Sequence, residues 1–175
     1  FSRLLGEDYI CGSYSVNCLL PGARGQNSHV DYPYWKFVAP GKIFPYKNLK
    51  NFNLNLQVAT PLTEFTKNNG STAIVENSHK MLKYPDYNDL KKAKIKIVKM
   101  KPGSILIYNG LLWHGSTPNF SKNKKRYAII SQYMPGYIVP TENLKKMTSE
   151  SILKKNKLLK KLLGCNLKFP ISYNF

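Results

Sequence analysis

Apolar and polar residues alternate along most of this chain with the two-residue period of strands, not the 3.6-residue period of helices. Residues 9–20 (Tyr-Ile-Cys-Gly-Ser-Tyr-Ser-Val-Asn-Cys-Leu-Leu) form the first strand-like run, which Pro21-Gly22 ends before a loop reaching Gly25. Residues 52–60 alternate cleanly: Phe52, Leu54, Leu56 and Val58 share one face, and Asn53, Asn55 and Gln57 share the other. Asn68-Asn69-Gly70 is a turn signal before a short strand over 71–76. Residues 86–94 suit a short helix, and 95–99 are again strand-like. Lys101-Pro102-Gly103 makes a tight turn into a strand over 104–108. The last clear strand runs from Arg126 to Met134 and is closed by Pro135-Gly136. Many short strands separated by turns predict a mainly β sandwich or barrel.

The pattern changes near residue 140. Over 141–163, Leu and Ile recur at helical intervals among lysines, which predicts a basic amphipathic helix. Packing on the outside of the domain accounts for such a helix; a membrane surface or a partner is the alternative. The expected organisation is therefore a core of residues 1–140 and a helical extension of 141–175. No internal repeat is visible.

A length of 175 residues suits one domain. No apolar run is long enough to span a membrane, and no charged-then-apolar signal opens the chain. The first residue is Phe1, so a trimmed N-terminus is expected. Cys11, Cys18 and Cys165 form no CxxC pair, which predicts free thiols and a cytoplasmic setting. The formal net charge of +18 is nearly all lysine, with arginine at Arg3, Arg24 and Arg126 alone. Proteins that read phosphates favour arginine's planar fork. The excess therefore suits codon bias and solubility better than nucleic-acid binding, while leaving an anionic substrate open.

Candidate chemistry lies in the three histidines, His29, His79 and His114. On a regular strand His29 and Asp31 would leave the same face, delivering an imidazole and a carboxylate to one ion. His114 from a distant strand would complete a facial triad of the type that suits non-haem Fe(II). Arg126 shares a strand face with Ala128, Ile130 and Met134. If that face is inward, the guanidinium is buried and calls for an anionic ligand; at a strand mouth it would instead be solvated.

Four segments, in order, carry a family resemblance. They are Asn17-Cys-Leu-Leu-Pro-Gly followed by His29-Val-Asp31; Asn69-Gly-Ser-Thr-Ala-Ile-Val-Glu-Asn-Ser-His79-Lys; Lys101-Pro-Gly-Ser-Ile-Leu-Ile-Tyr; and Trp113-His114-Gly-Ser116-Thr-Pro-Asn119 leading to Arg126. Over roughly residues 9–138 the chain resembles the phytanoyl-CoA dioxygenase family of Fe(II)/2-oxoglutarate-dependent oxygenases. The resemblance implies a double-stranded β-helix with a few peripheral helices, and iron held by His29, Asp31 and His114. It implies that Arg126 and Ser116 bind the distal carboxylate of 2-oxoglutarate and that Asn17 also contacts this co-substrate, on a loop one residue shorter than in the family.

The implied reaction couples decarboxylation of 2-oxoglutarate, giving succinate and CO2, to hydroxylation of an unactivated C–H of a small-molecule or carrier-bound substrate. A carboxylate at Asp31 favours hydroxylation over halogenation, for which related enzymes carry a small residue there. His79 matches a structural Ser-His-Lys, with Glu76-Asn77 where Pro-Gly is common. Tyr32, Tyr34 and Trp35 follow the His-x-Asp dyad and are candidates for lining a substrate pocket. The family's N-terminal helical region and early strands are expected to be missing from this sequence, in keeping with a trimmed N-terminus. Two rivals differ in class: a nucleic-acid demethylase of the AlkB type, whose second arginine position is Gln132 here, and a non-catalytic cupin-like binding protein.

Overall fold

A computed structural model describes residues 1–32 and 53–167. Among the described residues, eight strands carry the fold: β1 (Tyr9–Leu19), β2 (Gln26–His29), β3 (Leu56–Pro61), β4 (Thr72–Val75), β5 (Ile95–Ile97), β6 (Leu106–Asn109), β7 (His114–Ser116) and β8 (Arg126–Pro135). They form two antiparallel four-stranded sheets. The major sheet has the order β1-β8-β3-β6 and the minor sheet β2-β7-β4-β5. One cavity is lined from both sheets, by β1, β3, β6 and β8 on one side and β2, β4 and β7 on the other. This is the double-stranded β-helix that the resemblance implied.

The predicted strands fall where expected, within a few residues. The predicted helix over 86–94 is α2 (Tyr87–Lys92), which follows the four-residue α1 (Ser2–Leu5). A capping box starts it: the Asp86 carboxylate accepts from the Asp89 N–H, and the Asp89 carboxylate accepts from the Asp86 N–H. The tail departs from expectation. In place of one helix over 141–163 there are three short ones, α3 (Leu144–Met147), α4 (Glu150–Lys155) and α5 (Lys157–Leu162). Local capping contributes: the Asn143 side chain accepts the Lys146 N–H and starts α3, and the Asn156 side chain accepts the Leu159 N–H and starts α5 directly after α4. Both α3 and α5 lie against β1.

An apolar cluster gathers around Trp113, the residue before β7. Val30, Leu82, Leu111 and Trp113 are buried there, with Tyr32, Val75, Tyr84 and Leu90 packed against them. The indole N–H of Trp113 donates to the Lys83 carbonyl, and its backbone N–H donates to the Ser78 hydroxyl. The residue preceding His114 is thus anchored on both sides. Cys11, Cys18 and Cys165 are all free. No helix among the described residues is long and apolar enough to cross a membrane.

Candidate metal centre

His29 and His114 end one strand and begin another, and the two strands pair so that these residues stand opposite each other. Their ring centroids are 4.4 Å apart. Close approach of the strands requires Gly115, where a Cβ would come within 2.5 Å of the Gln26 carbonyl oxygen. Asp31 lies just beyond β2, not within a regular strand, and its backbone N–H donates to the Gly110 carbonyl at 2.9 Å. That bond holds the carboxylate over both imidazoles. Asp31 Oδ1 is 3.4 Å from His29 Nε2, and Oδ2 is 3.1 Å from His114 Nε2. One ligand atom from each of the three residues falls within 4.8 Å of the others.

Both imidazoles are oriented in the same way. His29 Nδ1 donates to the Asn27 carbonyl at 2.8 Å, and His114 Nδ1 donates to the Leu112 carbonyl at 2.9 Å. With Nδ1 bonded to a carbonyl two residues upstream, Nε2 is left to face the carboxylate. Outer hydrogen bonds of this kind fix the tautomer of metal-binding histidines. Once the two Nε2 atoms give up their protons, as metal binding requires, two neutral nitrogens and one carboxylate aimed at a common point are a donor set that fits a divalent transition metal with open positions.

The electrostatics agree. Burial alone would raise the Asp31 carboxyl. Hydrogen bonds from His114 and then His29, and the attraction of both rings, outweigh it and hold the group well below the usual carboxylate range. Burial pulls the His29 imidazole down. The hydrogen bond to Asp31, the Asn27 carbonyl and the charge of Asp31 reverse this, and the net shift is upward. Tyr108 packs its ring 4.7 Å from that of His114; burial, then the negative Asp31, push its phenol far up.

Arg126 opens β8 and is buried, which answers the question the sequence left open. Its Nε–H donates to the Gly70 carbonyl at 2.9 Å, its Nη1–H to Asn17 Oδ1 at 2.8 Å, and its guanidinium lies 4.9 Å from the centre of the Phe65 ring. Burial lowers its pKa. Among the described residues no carboxylate pairs with it, and it faces the same cavity as the His-Asp-His cluster. Asn17 and Ser116 line that cavity too. Asn17 thus holds the guanidinium directly. His79 stays outside the cluster, in a 3-10 turn over Ser78–Met81 with its Nδ1 buried and unbonded. Tyr34 and Trp35 lie outside the described residues; Tyr32 packs on the Trp113 cluster. Sequence reasoning missed Gln57, Gln132 and Tyr108 as cavity-lining residues. Their place on strand faces beside residues already singled out was the available signal.

Comparison with known proteins adds the family. Among curated relatives, dioxygenase af480 of Aspergillus fumigatus is 27% identical over 140 residues, covering 80% of this chain and 42% of that protein. The Fe(II)/2-oxoglutarate-dependent dioxygenase nvfF of Aspergillus novofumigatus is 30% identical over 135 residues, covering 77% and 42%. The chain thus spans about half the length, or less, of the curated relatives it matches. Among solved structures, EctD from S. alaskensis with bound Fe superposes with a TM-score of 0.62 at 22% identity, over 77% of this chain and 48% of that one. The nickel complex of the non-haem monooxygenase ThoJ gives 0.56 at 20% identity, over 81% and 51%. These likenesses bear on the fold. Residues 14–127 match the sequence model of phytanoyl-CoA dioxygenase, and the chain belongs to that family.

Proposed function

We propose that this chain carries the catalytic core of an Fe(II)- and 2-oxoglutarate-dependent dioxygenase that hydroxylates an unactivated C–H of a small-molecule or carrier-bound substrate. The observation that carries the reading is the convergence of His29, Asp31 and His114, with ligand atoms within 4.8 Å of one another, in one cavity with a buried arginine that no described carboxylate neutralises. Similarity to nvfF, whose name states that cofactor pair, supports it. Residues 1–140 form the core in this proposal, and 141–175 form a basic extension.

His29, Asp31 and His114 would hold the iron. When bound, iron and 2-oxoglutarate supply the oxidising chemistry, with succinate and CO2 as products. The protein's own residues position and exclude. Arg126 offers its remaining N–H donors to the distal carboxylate of 2-oxoglutarate, and the Ser116 hydroxyl adds a second donor. Asn17 fixes the guanidinium plane and contributes to the same subsite. The Phe65 ring closes one face of Arg126 against water. A titration of the metal-free protein with Fe(II) under anaerobic conditions, followed by assay of succinate, tests the reading. One metal per chain and 2-oxoglutarate-dependent succinate formation are expected; stoichiometric metal binding without succinate for any substrate offered would favour the non-catalytic cupin-like alternative.

Acidity should act on the two states in opposite directions. In the metal-free protein the raised His29 contributes stability that is complete below its ordinary value, about 6.5, and is lost as pH rises through the raised one. The depressed Asp31 contributes above its ordinary value, about 4, and its contribution is lost only as pH falls through the lowered one. Metal needs the unprotonated imidazole. The metal-induced gain in Tm is therefore expected to grow between about pH 6 and pH 8, while the metal-free protein gains nothing from this cluster over that interval. Thermal melts with and without Ni(II) at several pH values read this directly; a gain that shrinks as pH rises would remove His29 from the ligand set.

A further inference from the structure

The inner face of the major sheet carries its side chains in cross-strand tiers. In one tier Ser13 stands opposite Gln132, Gln132 opposite Gln57, and Gln57 opposite Tyr108. All four line the cavity that holds the His-Asp-His cluster. Tyr108, in contact with the His114 ring, ties the tier to the metal centre. Arg126 lies six positions from Gln132 along β8, about 20 Å at the rise of a strand. Between them stand Ile130 and Ala128, with Ala59 and Pro61 beside them on β3. The cavity therefore has a cationic end at Arg126 and, farther along β8, a separate amide-rich wall, with Ile130 and its cross-strand neighbour Ser15 lining the stretch between.

That wall is neutral and polar. Gln57 and Gln132 are each 4% exposed. The Gln132 carbonyl oxygen accepts from the Thr141 hydroxyl at 2.8 Å, so its amide is held in place. The Gln57 amide has no hydrogen-bond partner among the described residues, although it faces the cavity. Opening onto the cavity, the amide can exchange hydrogen bonds with whatever enters it. No lysine stands among the described cavity-lining residues, and Arg126 is the one cation there. The surface charge that suggested an anionic substrate thus does not extend to this wall.

Resting on the oxygenase reading above, we propose that Gln57, supported by Gln132 and Ser13, is the substrate-recognition wall, and that the substrate presents to it an uncharged hydrogen-bonding group, an amide or a hydroxyl. A carboxylate or phosphate would be stripped of water there with no opposing charge. A bare hydrocarbon would offer the Gln57 amide nothing in exchange for water, and sites built to hydrogen-bond a substrate reject analogues that lack the polar group.

The test uses the full chain loaded with redox-inert Zn(II) and saturated with 2-oxoglutarate, so that Arg126 is occupied. Saturation-transfer NMR then compares probes on one linear carbon skeleton: the primary amide, the alcohol, the carboxylate, the amine and the alkane. Amide and alcohol are expected to bind best. Gln57→Leu should weaken both about ten-fold, the value of one buried hydrogen bond, while 2-oxoglutarate affinity, measured by calorimetry, stays within about two-fold. The isosteric Gln57→Glu, which keeps the volume of the site, should shift preference to the amine. Best binding by carboxylate or alkane, absence of binding by every probe, or an unchanged preference in both variants overturns the inference. Failure of wild-type, metal-loaded protein to bind 2-oxoglutarate instead sinks the proposed function, and this inference with it.

Discussion

Asp31→Ala is expected to abolish metal retention and, with it, succinate formation. The carboxylate bridges both rings, 3.4 Å from His29 Nε2 and 3.1 Å from His114 Nε2, and it is the one anionic donor in the cluster. Without it two neutral imidazoles face the ion, and the charge that favours a dication is gone. Loss of an outer-shell hydrogen bond alone costs roughly 10- to 100-fold in metal affinity, so removal of the ligand itself should exceed that range. Asp31→Asn keeps the volume and should fail in the same way, which separates charge from packing. Equilibrium dialysis with metal analysis gives the answer. Near-normal metal content in both variants would show that the ion, if any, is held elsewhere.

Arg126→Ala is expected to leave the metal in place and remove the co-substrate. The guanidinium is buried and held from two sides, by the Gly70 carbonyl and Asn17 Oδ1, so its position is set before any ligand arrives. Losing one partner of a buried, hydrogen-bonded charge pair costs about 2–5 kcal/mol, which is roughly 30- to 5,000-fold in affinity. Arg126→Lys should recover a fraction, because an ammonium supplies charge without the two-pronged fit to a carboxylate. Calorimetric titration of 2-oxoglutarate into Ni(II)-loaded protein measures this, with melting curves to show that the variants fold. An unchanged Kd in Arg126→Ala would remove the residue from the co-substrate subsite. Some fall in Tm is expected independently, since the cation over the Phe65 ring is lost as well.

Which parts of this were legible in the sequence follows from which physical rule governs each. Strand positions were readable because alternation and Gly/Pro turns are local signals, as the match of β1 and β8 to the runs at 9–20 and 126–134 shows. The pairing of His29 with Asp31 was readable as a same-face argument, although Asp31 reaches its place through the bond to Gly110 and not as part of a strand. His114 entered as the third ligand only as a candidate among three histidines, with nothing in its own surroundings to tie it to the dyad. Eighty-odd residues separate it from His29, and the family resemblance strengthened a link that local rules could only suggest. The tail misled for a physical reason: Asn143 and Asn156 sit inside an otherwise helical pattern, and their side chains compete for backbone N–H groups.

The face of 52–60 that carries the leucines and valine needed the structure to be assigned. An apolar face ordinarily marks the inside. In β3, Leu56 and Val58 are buried, yet it is Gln57, on the opposite face, that lines the cavity. The tool that finds a core by hydrophobicity therefore assigns the wrong face to the lumen whenever that lumen is built to receive a polar guest.

β3 divides labour by parity. Leu56 and Val58 answer to folding, and Gln57 between them answers to whatever enters. Mutational drift at the middle position can explore new guests without loosening the packing on the other side, and drift at its neighbours is restrained without constraining recognition. A lineage built on this strand can change what it acts on one letter at a time and stay folded at every step.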